Sequence, residues 1–200
     1  MKPLKFALML ALLPAAMLWT RVAAAQASHG TAERDLQLSA FGAVGGDFTG
    51  LDGGKNFNLT VGVDLGFQPF HGVRPSFEVR GTYPTDRGLV DSQKSVMVGL
   101  RFDFLLGHTI HPYGDLLFGR GEMDYRDGYI FNNEIYDLTT TYVDAAGGGF
   151  DYDLSETLSL KVDAQLERWG AAPTTSGSVY SKTGSVGIVY RFGFASHGRR

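Results

Sequence analysis

Residues 57–67 read FNLTVGVDLGF. Phe57, Leu59, Val61, Val63, Leu65 and Phe67 occupy every second position, with Asn58, Thr60, Gly62, Asp64 and Gly66 between them. Successive side chains of a strand point to opposite faces, so this stretch has one wholly apolar face and one small or polar face. The same period recurs around it. Residues 35–46 put Leu36, Leu38, Ala40 and Val44 on one face. Residues 73–83 alternate Val73, Pro75, Phe77 and Val79 with Arg74, Ser76, Glu78 and Arg80. Residues 94–104 set Val96, Val98, Leu100, Phe102 and Phe104 against Ser95, Met97, Gly99, Arg101 and Asp103. Residues 157–170 set Leu158, Leu160, Val162, Ala164 and Leu166 against Ser159, Lys161, Asp163, Gln165 and Glu167. Residues 181–194 set Val186, Ile188, Tyr190, Phe192 and Phe194 against Ser185, Gly187, Val189, Arg191 and Gly193. No helical period of 3.6 competes from residue 31 onward.

Two glycine-rich segments, 111–125 and 139–152, alternate too irregularly to fix their facing, because strand glycines mark bulges and close approaches. They bring the expected strand count to eight. Connections alternate in length. Those at 47–56, 84–93, 126–138 and 171–180 have about ten residues or more; those at 68–72, 105–110 and 153–156 have about four to six. Long turns on one side and short turns on the other are the asymmetry of an outer-membrane barrel, with the short set toward the periplasm.

Volume decides which face is outside. An eight-stranded barrel has a bore just wide enough for its own side chains or one small ligand. Four to six mostly large apolar residues from each of six strands would overfill it, whereas the small and polar set suits it. The apolar face is therefore expected outward, which is untenable in water and natural in lipid. Phe57, Phe67, Tyr83, Phe102, Phe104, Tyr190, Phe192 and Phe194 stand at strand ends, where interfacial girdles form. The fold class expected is all-β, an eight-stranded antiparallel up-and-down transmembrane β-barrel over residues 35–194. The reverse packing, a soluble periplasmic ligand-binding barrel, is the alternative that alternation alone leaves open.

The chain has 200 residues, 27 of them glycine, with 44% apolar and 20% charged residues and a net charge of −3. Without a G-X-Y period the glycines exclude collagen. The mildly acidic balance speaks against nucleic acid as a partner. The absence of cysteine excludes disulfide scaffolds, thiolate zinc sites and cysteine nucleophiles. Lys2 and Lys5 precede an apolar run from Phe6 to Trp19, which ends in small residues around Ala25. That is the layout of a signal peptide, residues 1–25, cleaved after Ala25 or Ala27. Cleavage removes Lys2, Lys5 and Arg21 and leaves 15 basic against 21 acidic residues, a net of −6. Residues 26–34 then form a short periplasmic lead-in and residues 195–200 a tail.

Several stretches carry a family resemblance. GSVGIVYRFGF at 184–194 resembles the closing strand of small outer-membrane barrels of the opacity-protein-like or porin-like kind. HPYGDLLFGRG at 111–121 resembles their fifth strand, and AAGGGFDYDLSETLSLKVD at 145–163 their sixth strand, tight turn and seventh strand. The resemblance implies a Gram-negative cell-envelope protein whose partners are outer-membrane lipid, the periplasmic chaperones and the barrel-assembly machinery. The chain departs from the pattern after Phe194, where such barrels often end on an aromatic residue.

The inward parity collects Asp64, Glu78, Arg80, Arg101, Asp103, Lys161, Asp163, Glu167 and Arg191, with Asp35 and Asp151 expected to join them. Charges away from bulk water must be paired and hydrogen-bonded. A salt-bridge network bridged by arginine forks is therefore expected across the bore. It reads as a structural plug, or alternatively as the lining of a narrow pore for ions or small solutes. Other chemistry is thin. His108 and His111 lack a third metal ligand. A deacylase would need histidine beside serine near the outer leaflet, and none of the five histidines is expected there. No phosphate loop opens a helix. No catalytic residue, metal or cofactor is therefore expected. In the third long connection, Tyr129, Phe131 and Tyr136 surround Asn132 and Asn133. They are either a contact surface for an extracellular partner or the flanks of a hairpin turning at the asparagines. A non-enzymatic structural or surface-interaction barrel is the function expected.

Overall fold

A computed structural model describes residues 36–192, apart from 87, 89, 90, 107, 108 and 171. The signal peptide, the lead-in, the tail, Asp35, His108 and Phe194 lie outside the described residues.

Eight strands follow one another: β1 (Gln37–Phe48), β2 (Lys55–Gly66), β3 (Val73–Pro84), β4 (Asp91–Phe104), β5 (Ile110–Phe131), β6 (Glu134–Asp153), β7 (Leu158–Gly170) and β8 (Ser178–Arg191). Each pairs antiparallel with its neighbours in sequence, and β1 pairs with β8 to close the barrel. Closure removes both sheet edges, so the ladder satisfies the backbone without water. The chain thus has the transmembrane β-barrel architecture. One mouth, the terminal end, holds Gln37 and Arg191; the other, the hairpin end, holds the β1–β2, β3–β4, β5–β6 and β7–β8 turns.

Facing follows the two-residue period. Leu65, Leu100, Leu160 and Ile188 all lie on the outer surface, and Asp64, Arg101, Lys161 and Gly187 lie on the inner parity beside them. Phe48, Phe57, Tyr83, Tyr142 and Tyr180 stand exposed toward the hairpin end. Phe67, Phe102, Phe104, Phe150, Tyr152, Tyr190 and Phe192 do so toward the terminal end. The two glycine-rich strands obey the same rule. On β5, Tyr113, Asp115, Leu117, Met123 and Tyr125 turn in while Leu116 and Phe118 turn out. On β6, Val143, Ala145 and Asp151 turn in while Tyr142, Phe150 and Tyr152 turn out.

Ile188 sits on the outer surface of β8, between the outward-facing Val186 and Tyr190. Ile188→Arg is expected to cost about 2–4 kcal/mol of folding free energy in a bilayer. Urea unfolding in vesicles measures this, and an unchanged midpoint would place Ile188 off the lipid face. At Gly187, next to it, a Cβ would run into the Gly42 carbonyl oxygen and Ala43, so that position rejects side chains for a steric reason.

Two expectations need correcting. The length asymmetry lies in the strands rather than the loops. β5 and β6 have 22 and 20 residues, against 12 to 14 in the other six. The segment 126–138 is a hairpin whose turn is Asn132 and Asn133, at φ +52° and +66°. Two consecutive left-handed residues make the turn whose twist matches a strand ribbon, and asparagine tolerates them. Ladder pairing continued past the barrel rim because the flanking residues are β-branched and aromatic. The second correction concerns the bore, which is not lined by small and charged residues alone. Toward the hairpin end, Met97, Leu117, Met123, Tyr125, Val143, Ala145, Trp169 and Val179 form a buried apolar cluster, joined by Leu51 and Ala172 from the turns.

Candidate functional site

The bore holds two layers of different chemistry. The ionic layer is built on two arginines. Arg80 on β3 donates from Nε to Glu78 Oε1 at 2.6 Å, from Nη1 to Asp163 Oδ1 at 2.9 Å, and from Nη2 to Asp163 Oδ2 and Asp115 Oδ2 at 3.3 and 3.4 Å. Arg101 on β4 donates from Nη2 to Asp151 Oδ2 at 2.5 Å and to Asp103 Oδ1 at 2.6 Å, and pairs with Asp64 Oδ2 at 3.5 Å. A planar guanidinium presents its donors as a fixed fork, so one residue can tie carboxylates from several strands.

Between the two forks lies Lys161, with 1% of its surface exposed. Its ammonium sits 4.5 Å from the Phe41 ring centre and 4.1 Å from that of Tyr113. Tyr113 also receives the Arg101 guanidinium on its face at 3.7 Å and donates its hydroxyl to Asp163 at 2.6 Å. Aromatic faces thus take the place of water around both cations. Gln165 Nε2 donates to Asp115 at 2.9 Å and closes this layer.

Of the nine inward charges read from the sequence, Glu78, Arg80 and Asp163 meet in one group, and Asp64, Arg101 and Asp103 in another; Lys161 stands between them. Two do not join. Glu167 accepts a hydrogen bond from Trp169 Nε1 at 3.1 Å. Arg191 lies at the terminal mouth and donates to Asp153 at 2.7 Å, where His111 also meets Asp153 at 2.9 Å. Sequence reasoning missed Tyr113, Asp115 and Gln165 as partners. Gln165 was already on the inward parity, while Tyr113 and Asp115 lie on the strand whose facing glycine obscured. Phe41 and Trp169 were missed because each is a large ring on a parity read as small and polar.

The apolar layer follows toward the hairpin end. Trp169 is 1% exposed, and a Cβ on Gly121 would strike its indole ring. Glycine is needed there so that the ring can reach from β7 over β6 and lie on β5. Leu51 folds in from the β1–β2 turn and is 3% exposed. That turn is tied down by Thr49, whose Oγ1 donates to Asp91 Oδ1 at 2.7 Å and whose carbonyl accepts from Gln93 at 3.1 Å.

Beyond the rim, the β5–β6 hairpin has two unlike faces. Tyr129 and Tyr136 stand opposite each other across the ribbon and pack against the buried cluster, with Tyr129 stacked on Tyr125 at 5.5 Å. Tyr136 donates to Glu134 at 2.8 Å, and this hydrogen bond raises its phenol above the usual range. Phe131 is half-buried beside the turn. The most exposed large apolar side chains of the hairpin are Ile130 and Ile135, 72% and 70% exposed and paired across the strands.

The barrel fold recurs among solved structures. Neisserial surface protein A superimposes with a TM-score of 0.56 at 13% identity, over 78% of this chain and 97% of that one. The fold is that of the small eight-stranded outer-membrane barrels. The outer membrane enzyme PagL (TM-score 0.48, 16% identity, 76% of this chain and 98% of that one) and the attachment invasion locus protein Ail of Yersinia pestis (0.43, 14%, 79% and 98%) are further neighbours of this barrel. No protein-family model matches the chain, and no curated protein matches it significantly.

Proposed function

We propose that the chain is an integral outer-membrane barrel without enzymatic activity, with a closed bore and the hairpin end facing the cell exterior. The observation that carries this is the double filling of the bore. Arg80, Arg101 and Lys161 are 1–3% exposed in one layer, and Met97, Met123, Val143 and Trp169 are 0–1% exposed in the next. Side chains this nearly sealed in both layers support a closed bore. Residues 1–25 serve as the export signal, and the periplasmic chaperones and barrel-assembly machinery receive the chain. Its role is structural or one of surface interaction, exercised through the hairpin that carries Tyr129, Phe131 and Tyr136, with Ile130 and Ile135 as the exposed pair.

The lack of an enzymatic centre is supported by where the described histidines lie. His71 is in a terminal-end turn, and His111 is engaged by Asp153 at the same end. A narrow pore is the second reading. It is favoured by a polar cavity of about 320 Å³ at the terminal mouth, lined in part by Arg74, Arg101, Asp103 and Arg191.

Planar-bilayer recording separates the two. The folded protein is expected to show no steady conductance. Steady open channels would replace the closed barrel with the pore. Unboiled protein in detergent should run at a different mobility from boiled protein, and identical bands would remove the membrane barrel altogether.

A further inference from the structure

The outer surface of the barrel carries charge at one end only. Toward the terminal end, the outward strand positions of the described residues are all uncharged. Toward the hairpin end, Lys55, Lys94, Arg120, Arg168 and Lys182 point outward from β2, β4, β5, β7 and β8.

Four of these share a position along their strands. Lys94 stands ten residues from Phe104, Arg120 ten from Ile110, Arg168 ten from Leu158 and Lys182 ten from Phe192. On β1, β2, β3 and β6 the same step from Leu38, Phe67, Val73 and Tyr152 reaches Phe48, Phe57, Tyr83 and Tyr142. Ten residues at ~3.3 Å each, tilted by ~40°, project to ~25 Å, the height of the apolar band of an outer-membrane barrel. One boundary of the hydrocarbon is therefore met by apolar residues and the other by four cations and four aromatics.

Carboxylates answer some of these cations. Lys94 pairs with Glu122, and Arg168 lies 3.8 Å from Asp144. Lys55 lines a recess with Asp86 and Asp124, and its ammonium is 5.2 Å from the Phe48 ring centre. Arg120 and Lys182 have no ion pair among the described residues. Arg120 lies opposite Val96 and Tyr142, and Lys182 opposite Phe48 and Leu166.

We propose that this rim binds the phosphate groups of anionic lipids in the leaflet it meets, with Arg120 and Lys182 as the recognising cations. The proposal deepens the function above and rests on its membrane placement. A cation at this depth is desolvated on its hydrocarbon side and attracts anionic headgroups. The Arg120 guanidinium can take two phosphate oxygens at once. The aromatics between the cations fix the barrel's height, so the cations stay at headgroup level.

The test uses the full chain folded in nanodiscs of equimolar phosphatidylcholine and phosphatidylglycerol. Lipids retained when the discs are dissolved are counted by mass spectrometry. Phosphatidylglycerol is expected to be enriched about fivefold and to fall toward parity at ~1 M salt. Arg120→Gln with Lys182→Gln should abolish the enrichment, and Arg120→Lys with Lys182→Arg should keep it. Inorganic phosphate at a few millimolar and unchanged ionic strength should leave the lipid in place; displacement there would overturn a lipid as the occupant. Absent enrichment in the unaltered protein, or equal enrichment in the Gln variant, would overturn the proposal while leaving the barrel standing. A chain whose band does not shift on boiling would overturn the membrane placement itself.

Discussion

Arg80→Ala is expected to remove about 3–5 kcal/mol of folding stability, because it leaves buried carboxylates without their counter-ion. Arg80 touches Glu78, Asp163 and Asp115, and all four side chains are nearly sealed from solvent. The loss measures the charges left behind rather than the worth of the pairs, which combined variants can show. Arg80→Met together with Glu78→Gln and Asp163→Asn should recover a large part of the loss, since neutral groups of similar shape carry a far smaller desolvation penalty. Urea unfolding in vesicles reads both. A loss under about 1 kcal/mol for Arg80→Ala would show that water reaches the site, and the closed bore would go with it. Arg191→Ala should lose less than Arg80→Ala. Its partner Asp153, 22% exposed at the mouth, keeps hydrogen bonds from Ser159 and His111.

Trp169→Ala should cost a further large amount, about 3–5 kcal/mol, through a different term. The indole is the largest fully buried side chain of the barrel, and it lies on Gly121 and beside Val143. Removing it opens a cavity that paired strands cannot collapse to fill, and it strips Glu167 of its donor. Trp169→Phe should retain most of the packing and lose mainly the hydrogen bond. Thermal unfolding followed by circular dichroism distinguishes the two. Equal midpoints for the alanine and phenylalanine variants would mean that the apolar layer does not support the barrel. The chain has two tryptophans, Trp19 and Trp169. After loss of residues 1–25, Trp169 alone would report through its fluorescence.

The outer surface was legible from residues 57–67 and their repeats because lipid acts on each side chain separately. A leucine facing acyl chains needs no particular partner, so a period of two and the volume of the bore suffice to place it. Eight strands, their order and the outward set of Leu65, Leu100, Leu160 and Ile188 followed from that. The asparagine turn was legible for a similar reason, since Asn132 and Asn133 suit left-handed backbone wherever they occur. The inner parity was equally legible as a list of residues and illegible as a set of contacts. Arg80 meets Asp163 from 83 positions away and Arg101 meets Asp151 from 50. Only closure of the barrel fixes which strands face each other across the bore. Lys161 could be named as an inward charge, but not as a cation held between the rings of Phe41 and Tyr113. The split of the bore into an ionic and an apolar layer has the same origin. Packing inside a narrow barrel is a joint property of all eight strands, and no single strand's pattern contains it.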